Sequence, residues 1–216
     1  MDKRVIVVKL GGSTLGGQTS TGTPDTTLED ILKLAAEGWP VVLVHGGGNA
    51  INGLLKQLGQ EPRFQNGLRV TDRPALDAAL MMLRGRINAE LVATINRVGQ
   101  GRGILALGLC GLDGRMLEAR RETAHGDIGF VGEITGVNPA VLDAALEKGF
   151  LPVVAPIGTA TDDPETGMYN INADNAAAHL AAALQAEACV FLTDVPGVLD
   201  AEKKTIPHLD RTSVTR

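Results

Sequence analysis

Short apolar runs recur along the whole chain, and a helical pattern fills most of the intervals between them. They read VIVVKL (5–10), VVLVH (41–45), ILALGL (104–109), MLEAR (116–120), VGEITGV (131–137), LPVVA (151–155) and CVFLTD (189–194). Several are apolar on nearly every residue, not at alternate positions. A strand with that pattern has to be covered on both faces, which is the condition of a parallel sheet. Helical periodicity occupies 27–37, 49–58, 74–98, 139–148 and 174–185. Strand–helix alternation of this kind predicts an α/β fold, a three-layer αβα sandwich around a mainly parallel central sheet.

Local punctuation refines the outline. Asn138, Pro139 and Gly149 suit the cap, first turn and exit of the helix at 139–148. TSTGTPDTT (19–27) is a polar loop that ends on Thr26 or Thr27 as the cap of the first helix. Asp113-Gly114 falls between two strand runs and reads as a hairpin turn, hence a β-hairpin insertion in the sandwich. On the long helix, Leu76, Leu80, Leu83, Ile87, Leu91 and Ile95 form an apolar stripe of the kind that faces a core.

At 216 residues the chain is long enough to bury such a core in one domain. A net charge of -5 argues against a general nucleic-acid binder or an anionic-membrane binder, which would show a basic face. Cys110 and Cys189 form no CxxC pair and sit in apolar runs, as small buried hydrophobes do. No apolar stretch reaches the roughly 18 residues that span a bilayer. MDKR runs straight into a strand without a signal-peptide core, so a cytoplasmic setting is expected.

The chemistry gathers at glycine-rich junctions: KLGGS (9–13), VHGGGNAIN (44–52), LGLCGLDG (107–114) and TDVPGVL (193–199). Ligands of open α/β sheets bind at the carboxyl ends of strands, where exposed helix N-termini attract anions. Neither GxxxxGK[ST] nor GxGxxG is present, so the two common nucleotide fingerprints are absent. Lys9 follows four apolar residues and precedes Gly11-Gly12, a place where an ammonium needs an anion beside it. Arg69 in NGLRVTD can grip a carboxylate or phosphate with two parallel bonds. Asn170 and Asp174 lie in YNINADNAAAHL, where Asp174 opens an alanine-rich helix; Asp194 ends the last strand. His45 is suited to orienting the loop that follows it. The other histidines have no metal-ligand spacing, Ser13 has no adjacent histidine, and no covalent nucleophile is called for. Neutralising and positioning phosphate charge is how phosphoryl transfer is catalysed.

Taken in order, KLGGS, VLVHGGGNAIN, NGLRVTD, FVGEITGVN, GFLPVVAPIG, MYNINADNAAAHLA and LTDVPGVL resemble the amino acid kinase family over essentially the whole chain. NGLRVTD and NINAD point within that family to members that act on N-acetyl-L-glutamate. The resemblance implies transfer of the ATP γ-phosphoryl group to the side-chain carboxylate of that substrate, a step of arginine biosynthesis. It implies Lys9 as the residue that stabilises the transferring group, with Gly11, Gly12, Gly46 and Gly47 as backbone donors around phosphoryl and substrate. Arg69 and Asn170 would bind the substrate, and Asp174 would organise the catalytic lysines. Asp194, Val195, Pro196, Gly197, Val198 and Leu199 would form part of the ATP site, near Lys203 and Lys204.

Magnesium would arrive with ATP, held through its phosphates and water. A homodimer is implied, with the 74–98 helix at its contact. Residues 1–170 would be mostly the acceptor lobe and 171–216 the start of the ATP lobe. The family continues with a second catalytic lysine, so the resemblance implies a domain incomplete at its C-terminus. The alternatives are a kinase for a carrier-linked glutamate or aminoadipate, which would want a more open and basic acceptor side, and a non-catalytic acetylglutamate-binding module.

Overall fold

The computed structural model describes residues 4–11, 26–193 and 197–210. Its centre is a five-stranded sheet built from β1 (Ile6–Leu10), β2 (Val41–His45), β5 (Leu105–Cys110), β8 (Phe150–Ala155) and β11 (Ala188–Leu192). The order is β11-β1-β2-β8-β5, and every neighbouring pair is parallel. All the carboxyl ends therefore lie along one edge. The register sets Lys9 near that edge, between Val44 of β2 and Phe191 of β11.

The continuous apolar runs are explained by two cores, one on each face of the sheet. Val8, Leu10, Leu43, Val153 and Ala155 pack under α1 (Thr27–Ala36), α2 (Gly48–Gln57), α3 (Arg73–Leu80) and α4 (Asn88–Gly99). Their chain neighbours Val7, Val42, Val44 and Val154 face the other way, toward α5 (Ala140–Glu147) and α6 (Ala173–Ala183). A one-residue shift of register would exchange the two sets, so the packing on both sides pins the strands. Four of the six stripe residues on the long helix, Leu76, Leu83, Leu91 and Ile95, are at most 6% exposed, and Ile87 is also buried. The stripe is core.

That helix is not uniform. α3 passes into a π-helical stretch, Met81–Ile87, before α4 resumes at Asn88. Such stretches carry an extra residue per turn and tend to occur where a helix has to present side chains to a site.

A second assembly flanks the sheet. β6 (Leu117–Arg121), β7 (Val131–Val137), β9 (Ile157–Ala160) and β10 (Met168–Ile171) close into a four-stranded barrel. β6 and β7 are the antiparallel hairpin inserted into the sandwich. The position of its turn differs from expectation. Asp113-Gly114 does not join paired strands, because β5 bonds to β8 in the main sheet and β6 to β7 and β9 in the barrel. Residues 113–115 form a 3-10 turn that passes the chain from one assembly to the other, with Gly114 in the left-handed region at φ 60°. The Asp113 carboxylate accepts the Cys110 N–H at 2.7 Å and steadies the corner. β9 and β10, four residues each, were not anticipated; they pair antiparallel with each other and parallel with the more distant β6 and β7, and they carry no long periodic signal.

The caps follow the same pattern of agreement and adjustment. Asn138 accepts the Ala140 N–H at 3.3 Å, and Gly149 leaves the helix with φ 78°. Thr26 occupies the cap of α1, but its hydroxyl reaches the Asp30 carboxylate instead of a backbone N–H. Two-residue strands β3 (Phe64–Gln65) and β4 (Leu68–Arg69) pair as a small hairpin ahead of α3. The chain just after β4 is tied to the loop before β7, with Thr71 N–H donating to Ile128 O and Phe130 N–H to Thr71 O.

His45, the last residue of β2, is fully buried, and burial pulls its pKa down from 6.5 to about 4. The unfolded chain thus takes up a proton near pH 6.5 that the folded protein refuses until about pH 4. Stability should fall as pH drops through that window. His45 should account for about 3 kcal/mol of the loss, and chemical denaturation should show His45→Asn losing less stability than the parent over the same range. Parallel pH dependences for the two proteins would mean that His45 is not held neutral by the fold.

Candidate functional site

Two features meet at the carboxyl edge of the sheet, a buried-stem lysine with its counter-ion and an anion-ready cavity beside it. Lys9 extends from the end of β1 with its side chain 14% exposed, and its Nζ lies 2.8 Å from Asp174 Oδ1. Asp174 is in the first turn of α6. Asn172 caps that helix, its Oδ1 accepting from the N–H groups of Asp174 and Asn175. The cap fixes where the helix starts and so where the Asp174 carboxylate stands. The two residues expected to act together, Lys9 and Asp174, are therefore brought into an ion pair.

The cavity has a volume of about 180 Å³. Its walls include Gly46, Gly47 and Gly48, Arg69, Asn170 and the Asn172-Ala173 start of α6. Four of the residues singled out from sequence, Gly46, Gly47, Arg69 and Asn170, therefore converge although they lie up to 124 positions apart. Asp174 follows Ala173 directly, which brings the Lys9–Asp174 pair to the cavity margin.

Arg69 is 8% exposed and carries no carboxylate partner among the described residues. Its Nη1 donates to Asn52 Oδ1 at 2.7 Å and its Nη2 to Gly48 O at 3.1 Å. The guanidinium lies over the Phe64 ring, 4.8 Å from its centroid. Burial lowers its pKa from the ordinary 12.5. A buried guanidinium bonded only to neutral groups favours an incoming anion. Asn170 donates to Thr71 Oγ1 at 3.3 Å, and Thr71 in turn donates to Arg69 O at 2.9 Å. Arg69 and Asn170 are thus positioned through one shared hydroxyl.

The glycines divide by function. Gly11 N–H donates to Leu192 O and Gly46 N–H to Leu10 O, so both extend the sheet ladder. These two amides hold strand ends together in the structure. Gly47 is different. Its N–H meets no acceptor among the described residues, and it caps α2 without any side-chain cap bond. A Cβ at 47 would sit 2.5 Å from Ile87 Cδ1 and 2.7 Å from Leu83 Cδ2, side chains of the π-helical stretch. A side chain at 47 would require Ile87 and Leu83 to shift their terminal methyls. The open N-terminus of α2 lends positive potential to the cavity.

Gly12, Asp194, Val195 and Pro196 lie outside the described residues. Gly197, Val198 and Leu199 do not line the cavity; they belong to an exposed turn closed by Ile206 N–H to Val198 O and by a Leu199–Thr205 bridge. Lys203 and Lys204 are exposed on that turn. The residues that sequence reasoning missed are Asn52, Phe64, Thr71 and Asn88. Asn88 had a visible signal, an amide placed in the apolar stripe of the long helix. Asn52 had a weaker one, lying four positions into the helix that follows the glycines.

The chain is similar to known proteins. An acetylglutamate kinase of Acaryochloris marina is 46% identical over 200 residues, 93% of this chain and 66% of the relative. An acetylglutamate kinase of Nostoc punctiforme is 46% identical over 211 residues, 96% of this chain and 67% of the relative. The chain spans about two thirds of the length of these curated relatives. Among solved structures, smu.665 of Streptococcus mutans superposes with a TM-score of 0.76 at 29% identity, covering 91% of this chain and 75% of that one. The sequence pattern described as the amino acid kinase family matches residues 4–215, and with the parallel sheet, the Lys9–Asp174 pair and the glycine-lined cavity it places the chain in that family.

Proposed function

We propose that the protein transfers the γ-phosphoryl group of ATP to the side-chain carboxylate of N-acetyl-L-glutamate, as an acetylglutamate kinase of arginine biosynthesis. The observation that carries this reading is the unneutralised, buried Arg69 in a small cavity whose margin holds the Lys9–Asp174 pair. The two acetylglutamate kinases at 46% identity support the choice of acceptor.

In this reading Arg69 and Asn170 hold the substrate's α-carboxylate and amide, leaving the side-chain carboxylate directed toward Lys9. One carboxylate oxygen attacks the γ-phosphorus while the bond to the ADP oxygen breaks, giving an acyl phosphate and ADP. Lys9 and the Gly47 N–H neutralise charge on the transferring oxygens, and Asp174 keeps the ammonium aimed. No proton transfer is required, since the nucleophile is already ionised. The nucleotide would enter from the side of residues 171 onward, with 194–199 as part of its site and residues up to 170 forming most of the acceptor lobe.

Among the described residues no three His, Cys, Asp or Glu side chains converge to hold a metal. In this reading Mg²⁺ would be carried on the nucleotide phosphates, where the ion would offset phosphate charge. A homodimer is the assembly we favour, supported by Leu105 and Leu107 left 52% and 37% exposed on the edge strand β5. Both cysteines are free thiols, which agrees with a reducing cytoplasm. Among the described residues no helix is long and apolar enough to cross a membrane.

Trapping with hydroxylamine tests the reaction directly, because an acyl phosphate yields a hydroxamate. ATP with N-acetyl-L-glutamate should give hydroxamate; product only with a carrier-linked acceptor, or acceptor binding without turnover, would overturn the proposal. Lys9→Ala should lower kcat about 10²- to 10³-fold with little change in acceptor affinity, since its charge acts on the transferring group. Arg69→Lys should instead raise the acceptor KM about tenfold or more, because a point charge cannot replace the fork held by Asn52 and Gly48. Steady-state kinetics of the two variants should separate these effects cleanly.

A further inference from the structure

His45 and Asn88 form a buried polar pair that nothing in the phosphoryl-transfer scheme uses. They are 0% and 1% exposed, in a region otherwise filled by aliphatic side chains. Their hydrogen bonds determine one another. His45 Nδ1 lies 3.0 Å from Gly46 O, and a carbonyl only accepts, so Nδ1 carries the proton. Nε2 is then an acceptor, and Asn88 Nδ2 stands 3.2 Å from it as the donor. Asn88 has its own orientation fixed from both ends. Its Nδ2 also donates to Val153 O at 2.8 Å, and its Oδ1 accepts from Arg84 Nη1 at 3.1 Å.

The surrounding structure makes room for this amide and anchors it. A Cβ on Gly108 would fall 2.3 Å from Asn88 Oδ1, so only glycine at that point of β5 admits it. Arg84 reaches from the π-helical stretch to Asp113, 3.5 Å away, whose carboxylate already holds the turn after β5. The bonds run without interruption from the β5 corner through Arg84 and Asn88 to His45, and end on the carbonyl of Gly46.

That carbonyl governs the next amide. In a trans peptide the C=O of one residue and the N–H of the next point in opposite directions. Drawing Gly46 O toward the His45 ring therefore turns the Gly47 N–H away from the interior. Gly47 lines the cavity, and its N–H has no acceptor among the described residues. We propose that Asn88 and His45 are positioning residues: Asn88 holds His45 in its Nδ1–H form, and the His45 bond to Gly46 O aims the Gly47 N–H at the anion bound in the cavity. The low pKa of His45 accords with this, because an imidazolium would set an Nε2–H against the Asn88 amide hydrogens. The catalytic consequence rests on the cavity being the acceptor site; the tautomer and the amide direction do not.

The experiment uses the chain labelled with ¹⁵N at histidine and glycine, followed by NMR and kinetics. At neutral pH His45 should show a protonated Nδ1 and a bare Nε2, and Asn88→Ala, which removes the donor to Nε2, should shift the Nε2 resonance and weaken the preference for that tautomer. Inorganic phosphate should shift the Gly47 amide in the parent and leave it largely unmoved in His45→Leu. In turnover, His45→Leu should lower kcat about 10²-fold, the size of effect expected for one lost donor, with the acceptor KM within about threefold. His45→Asn, whose side-chain amide nitrogen takes the place of Nδ1, should recover most of the loss. An Nε2-protonated His45 in the parent would overturn the proposal. So would a folded His45→Leu with kcat near that of the parent, or equal impairment of the Leu and Asn variants, which would signify packing alone. Should the parent show the expected tautomer and phosphate shift yet no turnover, the acceptor assignment fails while the positioning pair stands. If His45→Leu does not fold, the parent tautomer and Asn88→Ala still decide the matter.

Discussion

The site depends on keeping one ammonium at the end of a buried strand. Lys9 projects from β1, whose flanking residues are almost wholly enclosed, and its stem has little access to water. An unpaired charge in that position would cost several kcal/mol. Asp174, brought in by the capped start of α6, supplies the counter-charge at 2.8 Å. The cost is thereby met by a residue 165 positions away in sequence, so the pair exists only once β1, β10 and α6 have assembled. Lys9 is placed by the fold and could not be placed by its local sequence.

The same logic accounts for what was legible from sequence. Continuous apolar runs such as VVLVH can be buried on both faces in few ways, so the parallel sheet and its flanking helices follow from pattern alone. β2 and β7 begin and end where the apolar runs do. The small barrel was not legible to the same degree. Its strands β9 and β10 pair locally with each other but close the barrel only through β6 and β7, farther away in the chain, and a four-residue run carries no period from which to infer them. The Asp113-Gly114 turn shows the limit most clearly. Its residues correctly signal a tight corner, but whether a corner joins paired strands depends on the partner that β5 finds, and that partner is β8.

Within the site, residues with distinctive chemistry at strand ends were readable, and residues that act on those residues were not. Lys9, Arg69, Asn170 and Asp174 each presented a charge or amide next to an apolar run. Asn52 and Thr71 are ordinary polar residues whose importance lies in what they touch: the Arg69 fork, the Arg69 backbone and the Asn170 amide. The glycines illustrate how position differentiates like residues. HGGG reads as a row of equivalent amides, whereas the fold commits Gly46 to the ladder, packs Gly47 closely under Leu83 and Ile87, and leaves the Gly47 N–H without an acceptor among the described residues. Equivalent letters acquire different roles because only one of them sits under the π-helical stretch.

Holding Lys9 on a protein carboxylate also suits the proposed chemistry. A lysine left bare before substrate arrives would relax toward solvent or shift its charge, and the site would have to be rebuilt at each turnover. Paired with Asp174, it keeps one position, and a phosphoryl group can share the ammonium without either partner leaving its place, since Asp174 is 55% exposed and the ammonium has three donors. Arg69 is arranged on the opposite principle, bonded to neutral oxygens and stacked on Phe64, so its charge would be available to the acceptor of the proposed reaction. In the proposed reaction the acceptor would meet a charge bonded only to neutral groups, while the transferring group would meet one already moderated by Asp174. That division favours tight, oriented acceptor binding and leaves Lys9 to respond to charge that develops only as the phosphoryl group moves, which is the kind of interaction that raises kcat.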